Sequence, residues 1–175
     1  MIKEVISGGQ TGVDQAALEA AINLGIPYSG NCPKGRIAEN GIIPAKFKNL
    51  KEIIGEFKFE KENYDARTKK NIEDSDGTLI IVPKIPLPSK ITDGTLLTIN
   101  EVKKQNKPFL LIDLSKNQDI NITQIISWIN HYQVSKLNIA GPRESSIPGI
   151  NRLAFNFITK MLLHLKNNLN IRPRL

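Results

Sequence analysis

The sequence has few of the residues that build metal sites and disulfides. It holds one cysteine, Cys32, and two histidines, His131 and His164, which lie far apart along the chain. A single thiol cannot form an internal disulfide, and this spacing fits no zinc motif. These absences exclude a disulfide framework and argue against a structural metal. We expect Cys32 to be a small buried side chain rather than a reactive thiol.

Long hydrophobic runs are also missing. The most apolar segments, 78–83 and 109–114, have the length of strands and fall well short of the roughly 18 residues that a membrane span needs. Residues 1–5 enter a strand-like pattern at once and lack the basic start, apolar stretch and cleavage site of a signal peptide. We therefore expect a cytoplasmic protein with no membrane partner.

Basic residues outnumber acidic residues, 24 to 17. The net charge is +7 over 175 residues and the isoelectric point is near 9.5, which favours anionic partners in general. Lys and Arg are spread along the chain, apart from a basic tail from about residue 166, so no stripe indicates nucleic-acid binding. The length predicts one domain, residues 1–175.

Short β-branched runs alternate with longer amphipathic segments. This alternation predicts an α/β, Rossmann-like domain: an open parallel sheet of about five strands with helices on both faces. The predicted strands are 2–7, 26–29, 78–83, Phe109–Asp113 and 137–140. The predicted helices are Val13–Asn23, 65–75, 95–106, 120–132 and 151–166. Glycines and prolines interrupt 33–62, so we expect a long loop there with at most a short strand near 57–59.

The last predicted helix has the most apolar face. Leu153, Phe157, Met161 and Leu165 recur at every fourth position. A stripe of this kind is typical of a core or of a subunit interface.

The loop after the first strand is the first candidate for a binding site, because open parallel sheets bind ligands beyond the carboxyl ends of their strands. Ser7, Gly9 and Gly12 occupy the three glycine positions of the fingerprint G-x-G-x-x-G. Backbone N–H groups of residues 9–12 can hold a phosphate or another oxyanion at a helix start. The alternative is a tight turn that allows close strand-to-helix packing. Asp14 lies three residues after Thr11, as in a capping box, and is assigned no chemical role.

The loop after the second strand lacks the acidic residue with which nicotinamide enzymes bind a ribose. It supplies Lys34 and Arg36, cations that suit a phosphate better than a diol. The alternative is a pair of solvated surface charges.

Two further helix starts are expected at the same edge of the sheet. Thr92, Asp93, Gly94 and Thr95 open the helix after the third strand, and Arg143, Glu144 and Ser145 precede the last helix. The alternatives are helix capping and an Arg143–Glu144 salt bridge.

The sequence shows no catalytic triad in a recognisable setting, no Walker lysine and no carboxylate cluster for magnesium. The site is therefore predicted to hold a ligand rather than to transform it.

Five blocks of the sequence resemble, in the same order, the molybdenum carrier family, that is, the molybdenum cofactor carrier proteins. They are ISGGQTGVD at 6–14, CPKGR at 32–36, RT at 67–68, SDGTLI at 75–80 and AGPRES at 140–145. The resemblance implies a homotetramer that binds molybdenum cofactor, a phosphorylated molybdopterin, or molybdate, and stores or transfers it unchanged. Molybdoenzymes or cofactor-synthesis proteins are the implied partners. The expected ligand contacts are Gly8, Gly9, Gln10, Thr11, Gly12, Lys34, Arg36, Arg67, Gly94, Thr95, Thr98, Arg143, Glu144 and Ser145.

A more distant similarity is to the lysine-decarboxylase-like or Lonely Guy family of phosphoribohydrolases. Arg67 falls on the arginine of their motif, and 93–98 falls on its glycine-rich part. Thr98 stands where that motif has a glutamate, and a hydroxyl cannot replace a carboxylate that stabilises positive charge or activates water. We therefore expect no enzymatic activity. The open alternatives are a nucleoside-monophosphate phosphoribohydrolase-like enzyme and a nucleotide-binding sensor of the same fold.

Overall fold

The computed structural model describes residues 2–91 and 94–167. Within these ranges the chain forms short strands and five longer helices. Their order is β1 (Glu4–Ile6), α1 (Val13–Asn23), β2 (Tyr28–Cys32), β3 (Ile37–Ala38), β4 (Gly41–Ile42), β5 (Leu50–Glu52), α2 (Glu60–Glu73), β6 (Gly77–Val82), α3 (Gly94–Lys104), β7 (Phe109–Asp113), α4 (Gln118–Tyr132), β8 (Lys136–Ala140) and α5 (Ile150–Asn167). Thr92, Asp93 and most of the predicted basic tail lie outside the described residues.

The main sheet has six parallel strands in the order β5-β2-β1-β8-β6-β7. Strand β6 is buried along its whole length, and its side chains alternate between two cores. Leu79 and Ile81 face the core of α1, α4 and α5, whereas Ile80 and Val82 face the core of α2 and α3. Helices therefore cover both faces, which confirms the predicted Rossmann-like α/β class.

The segment 33–62 is more ordered than a loop. It contains the β3–β4 hairpin and also β5, which pairs with β2 and makes a sixth strand of the main sheet, whereas 57–59 is not a strand and α2 already begins at Glu60. The strand was missed because only Leu50 of its three residues is apolar. Leu50 packs against Ile43, Phe47 and Cys32 in a separate small core, and Cys32 is buried as expected.

The buried face of α5 differs from the predicted stripe. Phe157 and Met161 are fully buried, but Leu153 is 51% exposed. The buried positions follow the 3.6-residue period of the helix, whereas a strict spacing of four drifts around its axis. They are Ile150, Ala154, Phe157, Ile158, Met161 and Leu162.

Two tight contacts bring the loop after β1 against the loop after β8. Gly12 has a φ of 77°, and a Cβ on it would lie 2.3 Å from the carbonyl oxygen of Pro142. The Val13 N–H donates to that same carbonyl at 3.2 Å. Because no other residue fits this position without strain, glycine here lets the two loops form one wall.

Among the helices in the two described ranges, none has both the length and the apolar character needed to cross a membrane.

Candidate functional site

A cleft of about 150 Å³ opens at the carboxyl ends of the strands, between the loops after β1 and β8 and helices α2 and α3. Half of the predicted contact residues line it: Gln10, Arg67, Gly94, Thr95, Thr98, Arg143 and Ser145. The sequence analysis did not assign ligand contacts to the other lining residues, which are Asp14, Thr68, Ile91, Ala140, Gly141, Pro142 and Ser146. The loops therefore meet at one cleft, as the parallel sheet predicts.

A buried ion pair lies in the cleft wall. Arg67 Nη1 donates to Asp14 Oδ2 at 2.8 Å, and both side chains are shielded from water. Burial raises the pKa of Asp14, and the opposing effect of the Arg67 charge does not cancel it. Gly8 makes room for the pair, because a Cβ there would lie 2.1 Å from Arg67 Nη1.

The capping box predicted for Thr11 and Asp14 does not form. Gly12 is the N-cap of α1, and the Thr11 hydroxyl donates to Glu39 instead. The Asp14 carboxylate accepts from the Gln10 N–H at 3.4 Å, besides its bond from Arg67. Asp14 is thus part of the cleft and was missed as a site residue, because its spacing from Thr11 suggested a cap.

Two buried donors in the cleft have no acceptor. Within the described part of the chain, Arg67 Nε and Gln10 Nε2 form no hydrogen bond of normal geometry, although these residues are only 9% and 6% exposed. The Gln10 side chain does interact with the Tyr64 hydroxyl and acts to lower the pKa of Tyr64. The Gln10 amide is oriented by its oxygen, which accepts from the N–H groups of Thr11 at 3.0 Å and Glu39 at 2.9 Å. Buried donors without acceptors are rare and costly. A ligand that offers only acceptor atoms would satisfy both.

The three helix starts differ in whether acceptors within the protein already bind their N–H groups. At α1, the N–H groups of Gln10 and Thr11 bond to the side chains of Asp14 and Gln10. At α5, the Glu144 carboxylate accepts from Gly149 N–H and, at 2.9 Å, from Asn151 N–H. Internal acceptors therefore occupy N–H groups that the sequence analysis offered to a ligand.

The start of α3 contributes a different surface. Gly94 and Thr95 line the cleft at the first turn of this helix, where N–H groups lack intrahelical partners. Thr98 is buried on the next turn, and its hydroxyl donates to the Gly94 carbonyl at 2.8 Å. A helix start of this kind is suited to an anion in the cleft.

Arg143 adds a positive charge at the cleft. Its guanidinium carbon lies 5.5 Å from the centre of the Tyr64 ring, a cation–π contact, and the residue is half-buried. Within the described residues Arg143 forms no salt bridge, and in particular none with Glu144, which caps α5. Arg67, Arg143 and Asp14 are the ionisable residues of the described cleft lining, so the lining carries a net positive charge.

Lys34 and Arg36 point to other parts of the molecule. The exposed Lys34 Nζ donates to the Gly55 carbonyl at 3.2 Å. Arg36 donates to the carbonyls of Leu50 and Phe47, each at 3.1 Å, and so holds the edge strand β5. Neither lines the cleft, and neither do Gly8, Gly9, Thr11, Gly12 and Glu144.

Glu39 is a second acidic residue that the sequence analysis missed. It lies at the turn of the β3–β4 hairpin and accepts hydrogen bonds from the Thr11 hydroxyl and from the N–H, at 3.1 Å, and hydroxyl of Ser145. Partial burial would raise the pKa of Glu39, but these hydrogen bonds outweigh it and the pKa is lowered. The turn signal Asn40-Gly41 could have located the hairpin, but nothing in the sequence indicated its contacts.

Residues 5–162 match the model of the circularly permutated YpsA SLOG family. The chain belongs to this family. A crystal structure of a "Putative molybdenum carrier protein" from Syntrophus aciditrophicus SB is 40% identical, covers 92% of this chain and 95% of that chain, and superposes with a TM-score of 0.81. These two findings confirm the resemblance to the molybdenum carriers.

Other comparisons add little to this SLOG-family assignment. A periplasmic sugar-binding protein of an ABC transporter from Legionella pneumophila is 12% identical, covering 95% of this chain and 86% of that chain, with a TM-score of 0.28. That value is too low to support an argument about fold or ligand. No curated protein matches the chain.

Proposed function

We propose that this SLOG-family protein is a carrier that binds molybdenum cofactor or molybdate in the cleft and releases it unchanged. The observation that carries the proposal is the pair of buried donors without acceptors, Arg67 Nε and Gln10 Nε2, at a cleft that also contains Arg143. An oxyanion offers acceptors to all of these groups. The likeness to the Syntrophus aciditrophicus protein supports molybdenum as the element concerned.

The size of the cleft suits one anionic group of such a ligand. Ligand pockets that enclose a whole drug-sized molecule are usually about 300 to 1,000 Å³. The cleft, at about 150 Å³, has room for molybdate, for a terminal phosphate or for an oxo-molybdenum group. We therefore propose that one anionic end of the cofactor enters the cleft and that the pterin extends outside it.

The cleft residues favour binding over catalysis. Thr98 occupies the position of the phosphoribohydrolase glutamate, and its hydroxyl is already bonded to Gly94. Asp14, the carboxylate among the described lining residues, is held by Arg67 and by the Gln10 N–H. We therefore propose that the protein does not hydrolyse nucleotides.

A homotetramer and delivery to molybdoenzymes are further proposals that follow from the family resemblance.

Titration calorimetry with molybdate tests the proposal. We expect saturable binding, at least tenfold weaker binding after Arg143→Ala, and unchanged binding after Arg152→Ala, which removes an exposed arginine of α5 that does not line the cleft. A parallel test measures the fluorescence of oxidised pterin in protein purified from cells that make the cofactor. The carrier proposal fails if molybdate does not bind and no pterin copurifies.

An assay with AMP separates the carrier from the alternatives. We expect no release of adenine by the pure protein. Release that Arg67→Ala abolishes would establish the phosphoribohydrolase-like enzyme. Tight binding of AMP without release, in preference to molybdate, would favour the nucleotide sensor.

A further inference from the structure

Four groups from three segments meet beside the cleft. The Thr11 hydroxyl comes from the loop after β1, and the N–H and hydroxyl of Ser145 come from the loop after β8. All three donate to the Glu39 carboxylate, which the β3–β4 hairpin supplies. We call these residues, Thr11, Glu39 and Ser145, the Glu39 cluster. Ser145 also lines the cleft, so the cluster adjoins the proposed site.

The donors of the Glu39 cluster have the chemistry of an anion site. Two hydroxyls and one backbone N–H converge on a single group, and Arg143 adds favourable electrostatics for a negative charge at Glu39. A carboxylate and a tetrahedral oxyanion both accept hydrogen bonds without donating any. Donors arranged for one of them therefore suit the other.

The Glu39 carboxylate can move away from the Thr11 and Ser145 donors without unfolding of the β3–β4 hairpin. Glu39 is half-exposed at a two-residue turn between Ala38 and Gly41, which pair with each other. Its backbone N–H is tied to Gln10 Oε1 at 2.9 Å, a contact that does not involve the carboxylate. Rotation of the side chain alone would move the carboxylate into water, where its charge is solvated.

We propose that Thr11 and Ser145, beside Arg143, form a second oxyanion subsite that the Glu39 carboxylate occupies in the free protein and a ligand oxyanion occupies in the complex. This inference rests on the proposed function, because it assigns the second anionic group of the same ligand. A cargo with two anionic groups would then place one at Arg67 and Gln10 and the other in the Glu39 cluster. Glu39 competes with the ligand for these donors, so it lowers the affinity.

Removing the competing charge tests the subsite. We expect Glu39→Gln and Glu39→Ala to bind molybdate at least threefold more tightly than the unaltered protein in titration calorimetry. Glu56→Gln is the matched control, because it removes an exposed carboxylate far along the chain from the Glu39 cluster, and we expect no change in affinity. AMP, titrated in a second arm, distinguishes a phosphate ester from a free oxyanion as the preferred occupant.

A combined variant tests whether the gain depends on the Thr11 and Ser145 side chains. Adding Thr11→Val and Ser145→Ala to Glu39→Ala should abolish the gain in affinity, with circular dichroism and melting temperature showing that each variant is folded. Equal binding by the unaltered protein and Glu39→Ala would overturn the subsite and leave the carrier proposal intact. Absence of molybdate binding in both would overturn the subsite, and the carrier proposal would fail with it if no pterin copurifies.

Discussion

Arg67 Nη1 lies 2.8 Å from Asp14 Oδ2, and this ion pair is shielded from water between α2 and the start of α1. The pair joins a residue that the family resemblance assigned to the ligand with one that the sequence analysis assigned to a cap. Arg67 is therefore partly neutralised inside the protein, and its Nε donor is buried without an acceptor among the described residues. In the proposed complex we expect Arg67 to act as a hydrogen-bond donor more than as a source of net charge, which Arg143 supplies.

Asp14→Asn should destabilise the fold, because it leaves the Arg67 charge buried without a partner. We expect the free energy of unfolding to fall by about 3 to 5 kcal/mol. Urea denaturation followed by circular dichroism measures this loss. The double variant Asp14→Leu, Arg67→Met removes both charges and should cost less than the single change. A neutral effect of Asp14→Asn would contradict the assignment of a buried ion pair.

Gly12→Ala should also destabilise the fold, and by more than Gly25→Ala. Both glycines have positive φ angles, 77° and 64°, a backbone conformation that alanine adopts only with strain. At Gly12 the Pro142 carbonyl oxygen would lie 2.3 Å from the added Cβ, whereas no atom of the described residues lies within 4 Å of a Cβ on Gly25. Paired urea titrations of the two variants compare the two losses. Equal losses would mean that the two loops do not meet as described.

Glu144→Ala should reduce stability and leave anion binding nearly unchanged. Its carboxylate holds the N–H groups of Gly149 and Asn151 at the start of α5, and loss of such a cap costs about 0.5 to 2 kcal/mol. The molybdate affinity should change less than twofold. A tenfold loss of affinity at unchanged melting temperature would instead show that Glu144 contacts the ligand.

Glu39 makes stability depend on pH in the acid range. Partial burial opposes ionisation of Glu39, but hydrogen bonds from Ser145 and Thr11 lower its pKa below the ordinary value of 4.5. A lowered pKa in the folded state stabilises the fold above the ordinary value, and this contribution disappears as the pH falls through the folded pKa.

The melting temperature of the unaltered protein should therefore exceed that of Glu39→Gln at neutral pH. The difference should shrink as the pH falls from about 5 to about 3. Thermal scans across this range measure it, with Glu56→Gln as a control for an exposed carboxylate. A difference that grows on acidification would contradict the lowered pKa.

Much of the fold could be predicted because its signals are local. Helix α1 has the predicted bounds, since Ala16, Ala17, Ala20 and Ala21 repeat at helical spacing and all become buried. Strand β5 could not be predicted, because Leu50 is its single apolar residue and the strand is held by contacts with distant segments, namely hydrogen bonds from Arg36 and a small core around Leu50.

The location of the cleft could be predicted, but the contacts of its side chains could not. The parallel sheet dictates where the loops meet, so Gln10, Arg67 and Arg143 could be placed at one cleft from their positions after strands or by resemblance. The partner of each side chain depends on contacts between distant segments. The Glu144 carboxylate accepts hydrogen bonds at the start of α5, Arg36 donates to β5, and Glu39 accepts from Ser145. No spacing in the sequence indicates these partners.

A crystal grown with molybdate tests the central claim most directly, because molybdenum scatters X-rays anomalously and its position can be read without assumptions. We predict an anomalous peak in the cleft, within hydrogen-bond distance of Arg143 and of Arg67 Nε, that disappears in crystals of Arg143→Ala. A peak only on the outer surface, for example beside Lys34, or no peak at a saturating concentration, would contradict the account.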